Sequence, residues 1–151
     1  MIIVGMAFTG QHYFEVLNLK ETVNSERYVT FLKNMIIKFS RHVNPISWKD
    51  LVLQHDNARP HVSHYVSTFL ANKSATLMKQ PAYSPDYNLC DRLIFPQMEM
   101  SRVHKTLENP EEITQFVCEN LHNLQMMDMM RHFDKLRLHL LKIIELQGEY
   151  C

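Results

Sequence analysis

Leu51-Val52-Leu53-Gln54-His55-Asp56-Asn57-Ala58-Arg59-Pro60-His61 is the stretch on which the reading of this chain turns. Its short apolar opening, bounded by polar residues, suits a buried strand over 51–54 better than a single helical turn. That strand would deliver His55 and Asp56 at its C-terminal end. Pro60 suits a first helical turn, and Val62, Tyr65, Val66, Phe69 and Leu70 follow at helical spacing, which predicts a helix over 60–71. Ala75 to Met78 read as a second short strand, 75–78. Strand, helix and strand within about thirty residues is the rhythm of a parallel βαβ unit.

Upstream, two apolar runs, Ile2 to Phe8 and His12 to Leu17, are separated by Thr9 and Gly10 and predict a β-hairpin over 1–17. Asn24 can cap a helix over 25–43 whose apolar positions Tyr28, Phe31, Leu32, Met35, Ile36 and Phe39 share one face; it should end by Asn44, before Pro45. Downstream, Pro81 and Pro85 mark a loop, and Ser84 or Asn88 can cap a helix over 88–103 that carries Asp91 in its first turn. Asn109, Pro110, Glu111 and Glu112 form a start signal for a helix over 110–124. The last helix, 127–147, lines Met130, Phe133, Leu136, Leu140, Ile143 and Ile144 along one apolar stripe and stops at Gly148.

Composition bounds the class. The chain has 151 residues, 46% hydrophobic and 21% charged, enough for one ordinary core and too apolar for a disordered chain. Its 16 basic and 16 acidic side chains cancel, so any contact with nucleic acid must be local rather than driven by global charge. No stretch approaches the roughly 20 apolar residues of a membrane span, and the apolar start lacks a charged leader, so a soluble, non-secreted chain is expected. Cys90, Cys118 and Cys151 lack the close paired spacing of zinc or redox motifs and read as free thiols. Ten methionines against three glycines point to adaptable packing between helices rather than to a turn-rich β fold.

Asp56 at a strand end and Asp91 early in a helix are carboxylates of the kind that converge on hard divalent cations. Taken alone, they are better explained by an Asx-turn at Asp56 or Asn57 and a helix N-terminus at Asp91. The letters around them carry more. His55-Asp56-Asn57-Ala58-Arg59-Pro60-His61, then Tyr83-Ser84-Pro85-Asp86, then Asp91, resembles the signature of mariner-like transposases; thirty-four residues stand between Asp56 and Asp91, the spacing of that family's last two catalytic aspartates. Glu21-Thr22-Val23-Asn24-Ser25-Glu26-Arg27-Tyr28 is similar to the segment after the family's second and third strands, and Glu145-Leu146-Gln147-Gly148-Glu149-Tyr150 to its closing motif.

The resemblance implies an α/β fold, a ribonuclease H-like mixed sheet flanked by helices, with helices at the C-terminal end. It implies three carboxylates binding two Mg²⁺ ions (or Mn²⁺) for phosphodiester cleavage and strand transfer in cut-and-paste DNA transposition. Asp56 and Asp91 match the second and third, with Asn57, Arg59 and His61 in supporting roles. The partners so implied are DNA at transposon ends and a second copy or a full-length transposase; the location implied is the nucleus.

The pattern departs from the family at the first carboxylate. The family's first aspartate lies on a central strand between the hairpin and the Asp56 strand, and no such strand is found upstream of Ile2. Asp50, Glu15 and Glu21 lie in other contexts. The expectation is therefore a partial catalytic domain with an incomplete sheet, metal binding weak or absent, and no independent catalysis. The helix-turn-helix DNA-binding region of the family is likewise missing, leaving Arg59, Lys73 and Lys79 for phosphate contacts. Arg92 replaces the aromatic residue usual after the last aspartate.

Two other readings compete. His55, Asp56, His61 and His64 could form a zinc cluster, although His61 and His64 fit a helix start without any metal. Alternatively, the chain is a relic or domesticated fragment that binds proteins through Met126, Met127, Met129 and Met130.

Overall fold

The computed structural model describes residues 1–18, 20–41, 47–124 and 126–147, with the side chains of 126–128 outside that description. The chain forms two compact units. The first comprises Met1–Met6 and Gln11–Ser84, the second Ala7–Gly10 and Pro85–Cys151.

In the first unit, β1 (Ile2–Met6) and β2 (His12–Val16) pair antiparallel in the register Ile2↔Val16 to Met6↔His12, the expected hairpin. Gly10, at φ 89°, takes the left-handed conformation the turn requires. Helix α1 (Ser25–Phe39) begins where Asn24 accepts a hydrogen bond from the Arg27 backbone N–H at 2.8 Å. Tyr28, Phe31, Leu32, Met35, Ile36 and Phe39 are buried on it as the periodicity predicts, together with Val29. The helix closes at Phe39, its last buried residue, rather than at 43; the expected stop at Asn44 and Pro45 lies outside the described residues. The second strand is fastened to α1 by polar contacts: Arg27 pairs with Glu15 at 2.9 Å and the Asn34 amide donates to Glu15 at 3.1 Å.

Gly5 sets how closely α1 lies on the hairpin. A Cβ there would collide with the Met35 sulfur and press on the Phe31 ring at 3.3 Å. Gly5→Ala is therefore expected to destabilise the chain by about 1–3 kcal/mol through overpacking. Chemical denaturation checks this, and restored stability in Gly5→Ala/Met35→Ala would trace the loss to the Met35 clash.

β3 (Val52–Gln54) and β4 (Thr76–Met78) pair in parallel, Leu53 against Leu77, joined by α2 (His64–Asn72). This is the βαβ unit expected from the opening stretch. Helix α2 begins four residues later than Pro60. Residues 58–62 instead form a turn in which the His61 and Val62 N–H groups donate to the Ala58 carbonyl, at 2.8 and 3.2 Å. Ser63 then caps the helix, because its hydroxyl can accept from the Val66 N–H and donate to the Pro60 carbonyl. As a result Val66 and Leu70 are buried, while Val62 and Tyr65 face solvent.

Two two-stranded sheets result, and among the described residues no ladder joins them. Helix α1 packs on β2 and on α2, so one helix supports both halves of the unit.

In the second unit, a 3₁₀ turn at Pro85–Tyr87 leads to a π-helical turn at Cys90–Ile94 and then to α3 (Phe95–Arg102). The expected helix over 88–103 is present, but it opens with a widened turn. The Phe95 N–H reaches back five residues to the Cys90 carbonyl, and Pro96 has no N–H with which to continue a regular ladder. Helix α4 (Pro110–His122) starts as its signal predicts, Asn109 accepting from the Glu112 N–H at 2.8 Å. Helix α5 (Met126–Glu145) follows, and the expected stop at Gly148 lies outside the described residues.

The apolar stripe expected on α5 divides in the structure. Met129, Leu136 and Ile143 are buried, whereas Met130, Phe133 and Ile144 stand exposed. Spacing identified the apolar residues but could not tell how wide an arc the unit's own core would cover. No helix among the described residues is long and apolar enough to cross a membrane.

Candidate metal centre

Asp56 stands two residues beyond β3, on the loop that turns toward α2. Its Oδ1 accepts from the Ala58 N–H at 3.0 Å and from His61 Nδ1 at 2.6 Å. The carboxylate is about half exposed, 48%, and its Oδ2 has no hydrogen-bond partner among the described residues. One oxygen is thus held by the chain and the other is available to a ligand.

His61 is itself held from behind. Its ring lies against Tyr28 with centroids 3.9 Å apart and runs parallel to His55 at 5.4 Å. Tyr28, from α1, has its hydroxyl 2.9 Å from His55 Nδ1. Tyr28 reads in the sequence as one more core residue; the signal it offered was a buried phenol, whose hydroxyl needs a polar partner. His55 is buried, and burial first, then the neighbouring His61, hold its imidazole down to about 4, against an opposing pull from Asp56.

Asn57 does a different job. Its amide donates to the carbonyls of Gln80 and Pro81, at 2.9 and 3.3 Å, and so ties the loop after β4 to the loop after β3. Arg59 is exposed and forms no ion pair among the described residues.

Asp91 lies in the π-helical turn of the second unit, a widened geometry that recurs at functional positions and that the apolar pattern could not reveal. The neighbouring Cys90 thiol is pushed up to about 12, by burial and then by the Asp91 carboxylate, and is therefore a poor nucleophile. Arg92 has a defined place despite its departure from the aromatic pattern. Its guanidinium donates to the Asp86 carbonyl at 3.1 Å, tying the 3₁₀ turn to the π turn.

Oxygen donors of this kind suit Mg²⁺ or Mn²⁺. Their number does not complete a resident site. Among the described residues no three His, Cys, Asp or Glu side chains gather in a way that could hold a metal ion. Asp50 accepts from the Ser47 hydroxyl, Glu21 from the Asn18 N–H, and Glu15 is engaged with Tyr13, Arg27 and Asn34. The four residues of the zinc reading are not gathered as a group among the described residues: His64 Nε2 lies 3.5 Å from the Thr68 hydroxyl, whereas His61 pairs with Asp56.

Comparison with known proteins gives a consistent result. The sequence profile described as DDE superfamily endonuclease matches residues 2–114. The Tc3 transposase of the Caenorhabditis elegans transposable element is 34% identical over 92 residues, 61% of this chain and 27% of that protein. Among solved structures, the Mos1 transposase catalytic domain with raltegravir and Mg superposes with a TM-score of 0.88 at 24% identity, over 99% of this chain and 76% of that one. A Mos1 transposase paired-end complex with the left transposon end gives 0.88 at 26% identity, over 99% of this chain and 44% of that one. The chain spans 16% to 35% of the length of the curated relatives it matches.

Proposed function

Because the chain belongs to the DDE superfamily endonucleases, we propose that it is a partial DNA transposase catalytic domain whose Asp56 and Asp91 are two of the three carboxylates of a two-metal phosphodiester-transfer site. The observation that carries this reading is Asp56 itself: it follows a short parallel strand of which Leu53 is buried and Val52 exposed, with one oxygen fixed by His61 and the Ala58 N–H and the other turned to solvent. A carboxylate held in this way is preorganised for a cation. Metal ions in a complete site of this kind would activate the attacking oxygen and stabilise the leaving one. By itself, this polypeptide binds Mg²⁺ or Mn²⁺ weakly and does not cleave DNA.

The chain's own residues have distinct tasks. His61, backed by Tyr28, fixes the direction of the Asp56 carboxylate. Asn57 holds the loop from which the chain runs on to Asp91. Arg59 offers an exposed positive charge to a DNA phosphate. DNA and a second transposase copy are the partners, and the nucleus, where chromosomal DNA lies, is the location. The reading of the chain as a separate protein-binding module receives no comparable support.

Titration with Mn²⁺ tests the proposal directly, with paramagnetic broadening of amide resonances as the readout. Broadening is expected around Asp56 and Asp91 together, at millimolar rather than micromolar ion, and each of Asp56→Asn and Asp91→Asn should abolish it at both places. Independent broadening at the two aspartates would sink the shared site. A cleavage assay on duplex DNA with either ion should show no activity above that of Asp56→Asn; cleavage lost in that variant would overturn the claim of inactivity while keeping the site.

A further inference from the structure

A histidine interrupts the apolar inner face of α5. His139 lies three residues after buried Leu136 and four before buried Ile143, and its Nε2 donates to Asp86 Oδ2 at 2.8 Å, across a separation of fifty-three residues. Both side chains are about three-quarters sheltered, at 24% and 23% exposure. A donor held against a carboxylate in such a place is worth more than an ion pair on open surface.

Asp86 belongs to the 3₁₀ turn Pro85–Tyr87, and hydrogen bonds join this turn to the π turn that carries Asp91. The Asn88 N–H donates to the Pro85 carbonyl, while Asn88 accepts from the Cys90 N–H through its side chain and from the Arg92 N–H through its carbonyl, each at 3.0 Å. The Arg92 guanidinium closes the piece on the Asp86 carbonyl at 3.1 Å. These bonds span two to six residues along the chain, so they shape the two turns without fixing how the pair is rotated against the rest of its unit. Burial of Leu93 and Ile94 holds the π turn down, yet apolar burial is non-directional and sets depth rather than orientation. The His139 bond has direction. It ties the turn that Arg92 grips to α5, the longest described helix, which packs on that turn.

We infer that His139 is a positioning residue for Asp91: through Asp86 and Arg92 it fixes the orientation of the π turn that carries this carboxylate. The inference rests on the reading of Asp91 as a metal ligand, and it gives α5 a task at that position.

Amide hydrogen exchange on the metal-free 151-residue chain, with helicity followed by circular dichroism, tests the tether. His139→Leu fills the space without a donor, and the amides of Asn88, Cys90 and Arg92 should lose roughly 10-fold or more of their protection while those of α1 keep theirs. His139→Arg returns a charged donor to the Asp86 carboxylate and should recover most of that protection, a recovery not expected if residue 139 merely fills space. In an Asp86→Asn background the further change His139→Leu should cost little, because the pair is already weakened. With Mn²⁺ added, the ion concentration that broadens the resonances around Asp91 should rise roughly 10-fold in His139→Leu and return toward the wild-type value in His139→Arg. Unchanged protection in His139→Leu, or none regained in His139→Arg, overturns the inference. Protection lost with an unchanged Mn²⁺ requirement overturns it too, since the tether would then not position the carboxylate. A wild type without broadening at Asp91 sinks the metal reading instead, and the exchange result, obtained without the ion, still decides whether His139 fixes the turn.

Discussion

Phe31→Ala is expected to destabilise the chain by about 3–5 kcal/mol, the usual loss for truncating a buried phenylalanine. Phe31 is 2% exposed, its ring lies 5.2 Å from that of Tyr13 on β2 and stacks at 6.4 Å on Tyr28, and its edge fills the space left by Gly5 on β1. The side chain thus joins the hairpin to the helix that carries Tyr28, and through Tyr28 it supports His55 and His61. Against a total stability of about 5–15 kcal/mol, its loss leaves little margin. Urea denaturation followed by circular dichroism measures the effect. Phe31→Leu keeps most of the volume and should lose about 1 kcal/mol. A loss below about 1 kcal/mol for the alanine variant would mean that α1 does not organise this unit.

The second large effect concerns acid. His55 is held down to about 4 from an ordinary value of 6.5, mainly by burial. Between those two values the unfolded chain takes up a proton that the folded chain refuses, so stability is fully present above pH 6.5 and falls as the pH drops toward 4. A depression of this size corresponds to a loss on the order of 3 kcal/mol at the acid end. Carboxylates add their own acid dependence at lower pH, so the informative quantity is the difference between wild type and His55→Gln. Urea midpoints from pH 7 to pH 4 should fall more steeply for the wild type than for the variant. Parallel curves would show that His55 charges as freely in the folded chain as in the unfolded one.

Local periodicity and capping chemistry were legible because they are short-range. The hairpin follows from two apolar runs and Gly10; α1 follows from Asn24 and a stripe of six residues; α4 follows from Asn109, Pro110 and two glutamates. Where two local signals competed, the pattern was ambiguous. Pro60 suits a helix start, yet Ser63 can also satisfy the free N–H of Val66, and the side-chain cap set the boundary. The π turn before α3 depends on how Pro96 interrupts a ladder already begun, which is a matter of backbone geometry rather than composition.

The sequence by itself determined the order and kind of the elements, the two aspartates, and the motif that relates the chain to the DDE transposases. Each of these resides in residue types at fixed spacing, and spacing survives in the unfolded chain. Only the tertiary structure decided what surrounds Asp56. Tyr28 and His61 are thirty-three positions apart along the chain, and their ring centroids come to 3.9 Å because α1, packed on β2 and α2, sets Tyr28 against the loop that follows β3. The same holds for α5, whose apolar residues the sequence counted but could not divide. Which of them are buried depends on how much of the helix the rest of its unit covers, and that contact is made only once distant segments have met.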